Sequence, residues 1–182
     1  ISYLYYVLYL GGITLFDFLE IGHGVIHLTN IFGDINRDYI LFIIWETAIS
    51  GLLFAKSFMS IKENHPRIND FFNLLITCSI ISAFITIFTS YDTGAFFNLL
   101  FMVVFLPAYL AVIVYCWYKG NQNAKYFFFA WISNIIGLLI FSGVTYKIIP
   151  AIPFTLSATP IGILVEAVAL SFALANRIKN EQ

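Results

Sequence analysis

The sequence predicts an all-α integral membrane protein, a polytopic bundle with six transmembrane helices in this segment. Three observations predict it. Hydrophobic residues make up 60% of the 182 positions and charged residues only 10%, against about 25% charge in an ordinary soluble domain. The mean hydropathy is +0.89. The apolar residues fall in unbroken runs of helix-spanning length rather than in the alternating pattern of a membrane barrel. A net charge of −1 leaves no basic footprint for nucleic acid. Cys78 and Cys116 lie inside apolar runs without metal-ligand spacing, so no disulfide framework organises the chain. No basic n-region precedes the first apolar run, which argues against a secretory signal. The start at Ile1 and the polar end Asn180-Glu181-Gln182 read as a piece of a longer protein.

Each span follows from its boundaries. A bilayer core of about 30 Å needs about 20 residues of helix. The first span is expected over residues 2–27, apolar and aromatic at first, then carrying Asp17, Glu20, His23 and His27. The polar Gly33–Asp38 turn separates it from a second span over 39–59, whose only acidic residue is Glu46. Lys62-Glu63-Asn64-His65-Pro66-Arg67 is the most charged loop, and its proline prevents one continuous helix. The third span, 71–89, carries no charge, and Ser90–Gly94 is expected to turn the chain. The fourth, 95–118, contains Pro107, which kinks a bundle helix more often than it breaks one. Lys119–Asn123 turns into a fifth span, 125–146. Pro150 and Pro153 mark an extended connection before the last span, 159–178. Such short loops force antiparallel neighbours.

Orientation follows from the basic residues. Seven (Lys56, Lys62, Arg67, Lys119, Lys125, Arg177 and Lys179) lie on one side of these spans, and two (Arg37 and Lys147) on the other. The basic side is the cytoplasmic one, so both ends of the segment are expected in the cytoplasm, with residues 34–38, 90–94 and 147–153 outside. Tyr3, Tyr5, Tyr6, Tyr115, Trp117, Tyr118, Tyr126 and Trp131 flank the same inner boundary, as aromatic belts do.

Ionisable groups in lipid are expensive and need partners. Asp17, Glu20, His23 and His27 are spaced three, three and four apart, along one helical face. Glu46 enters the second span from the side on which the first ends, and is expected at the depth of Glu20. Three readings of this set stay open. The groups lie in the headgroup region or a wet loop, where Gly22 and Gly24 weaken the helix. They line a water-filled receptor pocket whose Glu/His pairs answer to protonation or a ligand. Or Glu20, His23, His27 and Glu46 hold a metal, zinc or iron suiting such donors; a di-iron centre wants two Glu-x-x-His motifs, and Glu20-x-x-His23 is single. No resident cofactor is called for on the first two readings.

Glu166 is the lone ionisable group in the membrane part of the last helix. A carboxyl there is either satisfied by a neighbour such as Ser133 or Asn134, or is a coupling residue in transmission. Ala167, Ser171 and Ala175 recur every four residues, a small-xxx-small stripe expected to serve packing in the core or a dimer face.

Residues 124–131 (AKYFFFAW) and 162–178 (GILVEAVALSFALANRI) resemble the bacterial seven-transmembrane receptors with diverse intracellular signalling modules. Tyr3–Tyr9 resembles the start of that family's second helix, and His65-Pro66-Arg67 its loop between helices three and four. The resemblance implies that the segment lacks the family's first helix. It also implies an extracytoplasmic sensor domain and a cytoplasmic signalling domain in the same chain, a homodimer, and a place in the bacterial inner membrane. No phosphate-cradling glycine loop or kinase signature occurs in the segment. The expectation is therefore a non-enzymatic transmitter of an extracytoplasmic signal, with lipid as its surroundings and no nucleic-acid partner. The alternatives are an intramembrane metal or redox enzyme built on Asp17, Glu20, His23, His27 and Glu46, or a small transporter.

Overall fold

The structure, a computed structural model, describes residues 2–20, 37–64 and 66–181. These residues form helices only. In chain order they are α1 (Ser2–Glu20), α2 (Arg37–Phe58), α3 (Ile61–Asn64), α4 (Pro66–Phe88), α5 (Tyr91–Tyr118), α6 (Gln122–Thr145), α7 (Pro153–Leu156) and α8 (Ala158–Glu181). Six of them are long and apolar enough to cross a membrane: Ser2–Leu19, Ile40–Phe58, Pro66–Phe88, Tyr91–Tyr118, Gln122–Val144 and Ala158–Arg177. The chain divides into two compact units, Ile1–Val112 and Ile113–Gln182, with the boundary inside α5.

In the first unit α1 and α2 pack antiparallel. Ser2 and Ser57 share a hydroxyl hydrogen bond of 2.6 Å, the Tyr6 and Phe54 rings stand 5.2 Å apart, and Tyr9 packs on Gly51. Helix α4 runs antiparallel to α2, with Lys56 bonded to Asn73 near one end and Trp45 to Thr86 (3.0 Å) near the other. Trp45 also meets the edge of Phe101 on α5, centroids 5.1 Å apart, and Phe72 on α4 meets Tyr109 at 5.6 Å. Trp45, Phe54, Phe58, Phe72 and Leu75 are fully buried; α2 is the central helix of this unit.

Four hydroxyls inside these spans are satisfied within their own helices. Thr47, Thr77, Ser79 and Thr86 each donate to the carbonyl four residues earlier, at 2.8–2.9 Å, so none needs water in the apolar layer. Apolar side chains such as Leu99, Val103 and Leu164 are exposed on the outer faces, where acyl chains rather than water surround a membrane helix.

Boundaries differ from the sequence reading in several places: α4 begins at Pro66 rather than 71, the connection expected to be extended contains the helical turn α7, and residues 21–27 of the first expected span lie outside the described residues. The turn expected at Ser90–Gly94 shrinks to Thr89 and Ser90, and the remainder is the first turn of α5, opened by Gly94 N–H on the Ser90 carbonyl. Gly94 is there for contact rather than for turning: a β-carbon on it would lie 2.9 Å from Thr86 and 3.1 Å from Leu41. In the second unit α6 starts three residues before Lys125, because the Asn121 side chain accepts from the N–H groups of Asn123 and Ala124, a helix cap. Gly120, at φ +93°, supplies the left-handed step that ends α5. Pro66 opens α4 from its first position, where a missing N–H costs nothing. Helix α5 continues across Pro107.

Candidate functional site

Helices α6 and α8 are antiparallel and approach closely because two glycines allow it. A β-carbon on Gly137 would lie 2.5 Å from the Ala158 carbonyl oxygen. One on Gly162 would lie 2.8 Å from the Ser133 carbonyl oxygen and 3.1 Å from the Asn134 α-carbon. Gly162 and Glu166 sit one turn apart on the same side of α8. Glu166 is fully buried, and the Asn134 side-chain amide donates to its carboxyl at 2.8 Å. The Ser133 hydroxyl, bonded to Ala130 in its own helix at 2.6 Å, also lies 3.3 Å from the Gly162 carbonyl oxygen. Both neighbours proposed from sequence thus lie at this seam, with the carboxyl taken by Asn134. A buried polar group held between backbones this close can adopt a small number of packings, each stabilised by its hydrogen bonds.

The small-residue stripe lies elsewhere. Ser171 and Ala175 are exposed and Ala167 is half-buried, whereas α8 buries Ile163, Glu166, Leu170, Ala173 and Leu174. The expectation that the stripe packs in the core is corrected: the close approach is made by Gly162, which sequence spacing alone did not single out. An isolated glycine in an apolar span was the available signal.

The polar set of the first span is distributed differently from expectation. Glu46 Oε2 and Thr47 Oγ1 occupy the place that a β-carbon of Gly12 would take, and the Ser50 hydroxyl stands beside the Glu46 carboxyl. Glu46 is therefore level with Gly12. Glu20 is the last residue of α1, eight residues and about 12 Å further along the axis, so the shared depth expected for Glu20 and Glu46 is corrected. Asp17 is half-buried, five residues beyond Gly12. His23, His27 and His65 lie outside the described residues, as does the side chain of Glu20. Among the described residues no three His, Cys, Asp or Glu side chains group as a metal would need.

A model of the family described as 7TM diverse intracellular signalling matches residues 1–177. No curated protein matches the chain, and no solved structure does.

Proposed function

The chain belongs to the 7TM diverse intracellular signalling family, and from that premise we propose that this membrane signalling module relays an extracytoplasmic signal to a cytoplasmic output domain through the α6–α8 seam. The observation that carries the reading is the buried Asn134–Glu166 hydrogen bond, 2.8 Å long, on the helix that continues past its apolar span to Glu181. A rigid helix that is held by a polar contact at one depth transmits a shift or rotation along its length. The relay needs two packings of similar free energy that the signal distinguishes. The module then works without a reaction of its own.

The protein is a multi-pass membrane protein; the seven-to-two division of basic residues supports placing both ends of this segment in the cytoplasm, and the family resemblance suggests the bacterial inner membrane. A sensor domain outside, an output domain inside and a homodimeric receptor are the partners that family membership suggests. The exposed Ser171 and Ala175 suit the dimer reading of the small-residue stripe.

The test is Glu166→Gln in the full receptor, with output measured with and without its signal. The amide keeps shape and hydrogen bonding, so expression and insertion should be normal while the output is locked or loses its response. Output indistinguishable from the parent's under both conditions overturns the coupling role. Orientation is checked separately with an impermeant thiol reagent on Asn36→Cys and Asn121→Cys: labelling of intact cells at 36 and not at 121 is expected, and the reverse overturns it.

A further inference from the structure

The connection between α6 and α8 exposes a set of large apolar side chains on a firmly built backbone. From Tyr146 to Ile149 every N–H donates back into the end of α6, to Ser142, Val144 and Gly143, at 2.8–3.0 Å. Lys147 takes the left-handed conformation, φ +59°, that lets the chain reverse. Ile149 seats on Gly143, where a β-carbon would lie 2.7 Å from its Cδ1. The buried Thr155 hydroxyl accepts from the Ile152 N–H at 3.0 Å and lies 2.8 Å from the Pro150 carbonyl it donates to. Helix α7 then closes with Leu156 and Ser157 N–H on Ile152 and Pro153. Two prolines, Pro150 and Pro153, carry no donor at all.

On this frame Ile148 is 80% exposed and Phe154 67%, with Tyr146, Ile152 and Leu156 exposed beside them. Residues 146–157 contain no carboxylate and one cation, Lys147. A turn facing bulk water would carry polar side chains and leave its backbone to water; here the N–H groups of Tyr146–Ile149, Ile152, Leu156 and Ser157 are paired internally and most of the side chains are apolar. That combination is what the boundary of a bilayer demands, since backbone left unpaired there is costly and apolar area is rewarded by burial. The membrane-spanning parts of α6 and α8 end at Val144 and begin at Ala158, so the segment starts and finishes at that boundary.

We propose that the 146–157 segment is a lipid-docking surface: Ile148, Ile152, Phe154 and Leu156 enter the headgroup–acyl boundary of the adjoining leaflet, and Lys147 meets lipid phosphate. Tyr146 has the amphipathic ring that favours this depth. The segment anchors the end of α8 two turns before Glu166, fixing one end of that helix to the leaflet. This holds whichever face of the membrane the segment occupies, and is independent of the signalling role.

The test places a nitrobenzoxadiazole label on Phe154→Cys, with Cys78 and Cys116 replaced by Ala, in the full protein reconstituted into phosphatidylethanolamine–phosphatidylglycerol vesicles. The same label on Lys119→Cys serves as the reference. At position 154 the emission should be blue-shifted relative to 119, iodide quenching at least threefold weaker, and quenching by lipid labelled at acyl carbon 5 at least twofold stronger than by lipid labelled at carbon 12. If the cysteine-free background fails to fold, Phe154→Trp in the parent is read with brominated lipid, as the increment over the three native tryptophans. Strong iodide quenching means a water-facing segment, and shielding from iodide without lipid quenching means a protein cover; either overturns the proposal.

Discussion

Asn134 and Glu166 meet at 2.8 Å across two helices whose facing glycines, Gly137 and Gly162, leave almost no room between the backbones. Sterics and polarity therefore act on the same seam. The glycines bring the helices close, and closeness puts a short amide within reach of a fully buried carboxyl. Lipid offers that carboxyl no alternative partner, and an isolated ionisable group in a bilayer costs from a few to more than ten kcal/mol.

The pair should be energetically coupled. Asn134→Leu and Glu166→Leu each remove one side of the contact, and the first leaves a buried carboxyl short of a donor. Interhelical hydrogen bonds in membranes are worth about 0.6 kcal/mol on average and up to about 1.7. A double-mutant cycle on unfolding in mixed micelles should return a coupling in that range. Additive losses would show that the contact contributes nothing.

The two seam glycines should be intolerant of substitution, and Gly11 should not be. Gly137→Val and Gly162→Val drive side-chain atoms into backbone on the facing helix, which cannot yield as a flexible side chain does. Overpacking of this kind costs about 1–3 kcal/mol. Nothing lies within 4 Å of a β-carbon built at Gly11, so Gly11→Val should change unfolding by a few tenths of a kcal/mol. Equal effects at all three positions would contradict the close approach.

Helix number was legible because apolar length is set by bilayer thickness and is little affected by neighbours. Glu166 stood out for the same reason, as a lone charge in an apolar run, and Asn134 was nameable as a polar residue in the adjacent span. Register was not legible. Both faces of α1 and α2 are apolar and aromatic, so periodicity does not say which residues of the two helices are level, and Glu46 was placed with Glu20 instead of Gly12. Gly94 misled because propensity treats glycine as a turn former, whereas here it clears space for Thr86 and Leu41. The small stripe on α8 misled conversely: small residues permit close packing without requiring it, and Ser171 and Ala175 are exposed.

The last prediction concerns the α1–α2 contact, where Gly12 faces Glu46 and Thr47. A β-carbon at position 12 would take the space held by Glu46 Oε2 and Thr47 Oγ1. Gly12→Ala ordinarily stabilises a helix interior by up to about 1 kcal/mol, because glycine loses more backbone entropy. Here that gain is opposed by displacement of two polar groups. Thr47 is held to its own helix by a 2.8 Å bond to Ile43, and Glu46 moves only by changing rotamer or shifting α1 away. Gly12→Ala should therefore destabilise the protein by about 1–2 kcal/mol, within the range for overpacked sites. In a Glu46→Ala/Thr47→Ala background both polar obstacles are gone and only the residue 47 β-carbon remains, 3.3 Å away, so the same substitution should be close to neutral or stabilising. Thermal unfolding in detergent of the four combinations reads this directly. The sign change between backgrounds is the decisive outcome, since a general intolerance of α1 to substitution would give the same loss in both. A loss unchanged by the double replacement would show that Glu46 and Thr47 do not face Gly12, and would remove the register that places Glu46 level with Gly12 rather than with Glu20.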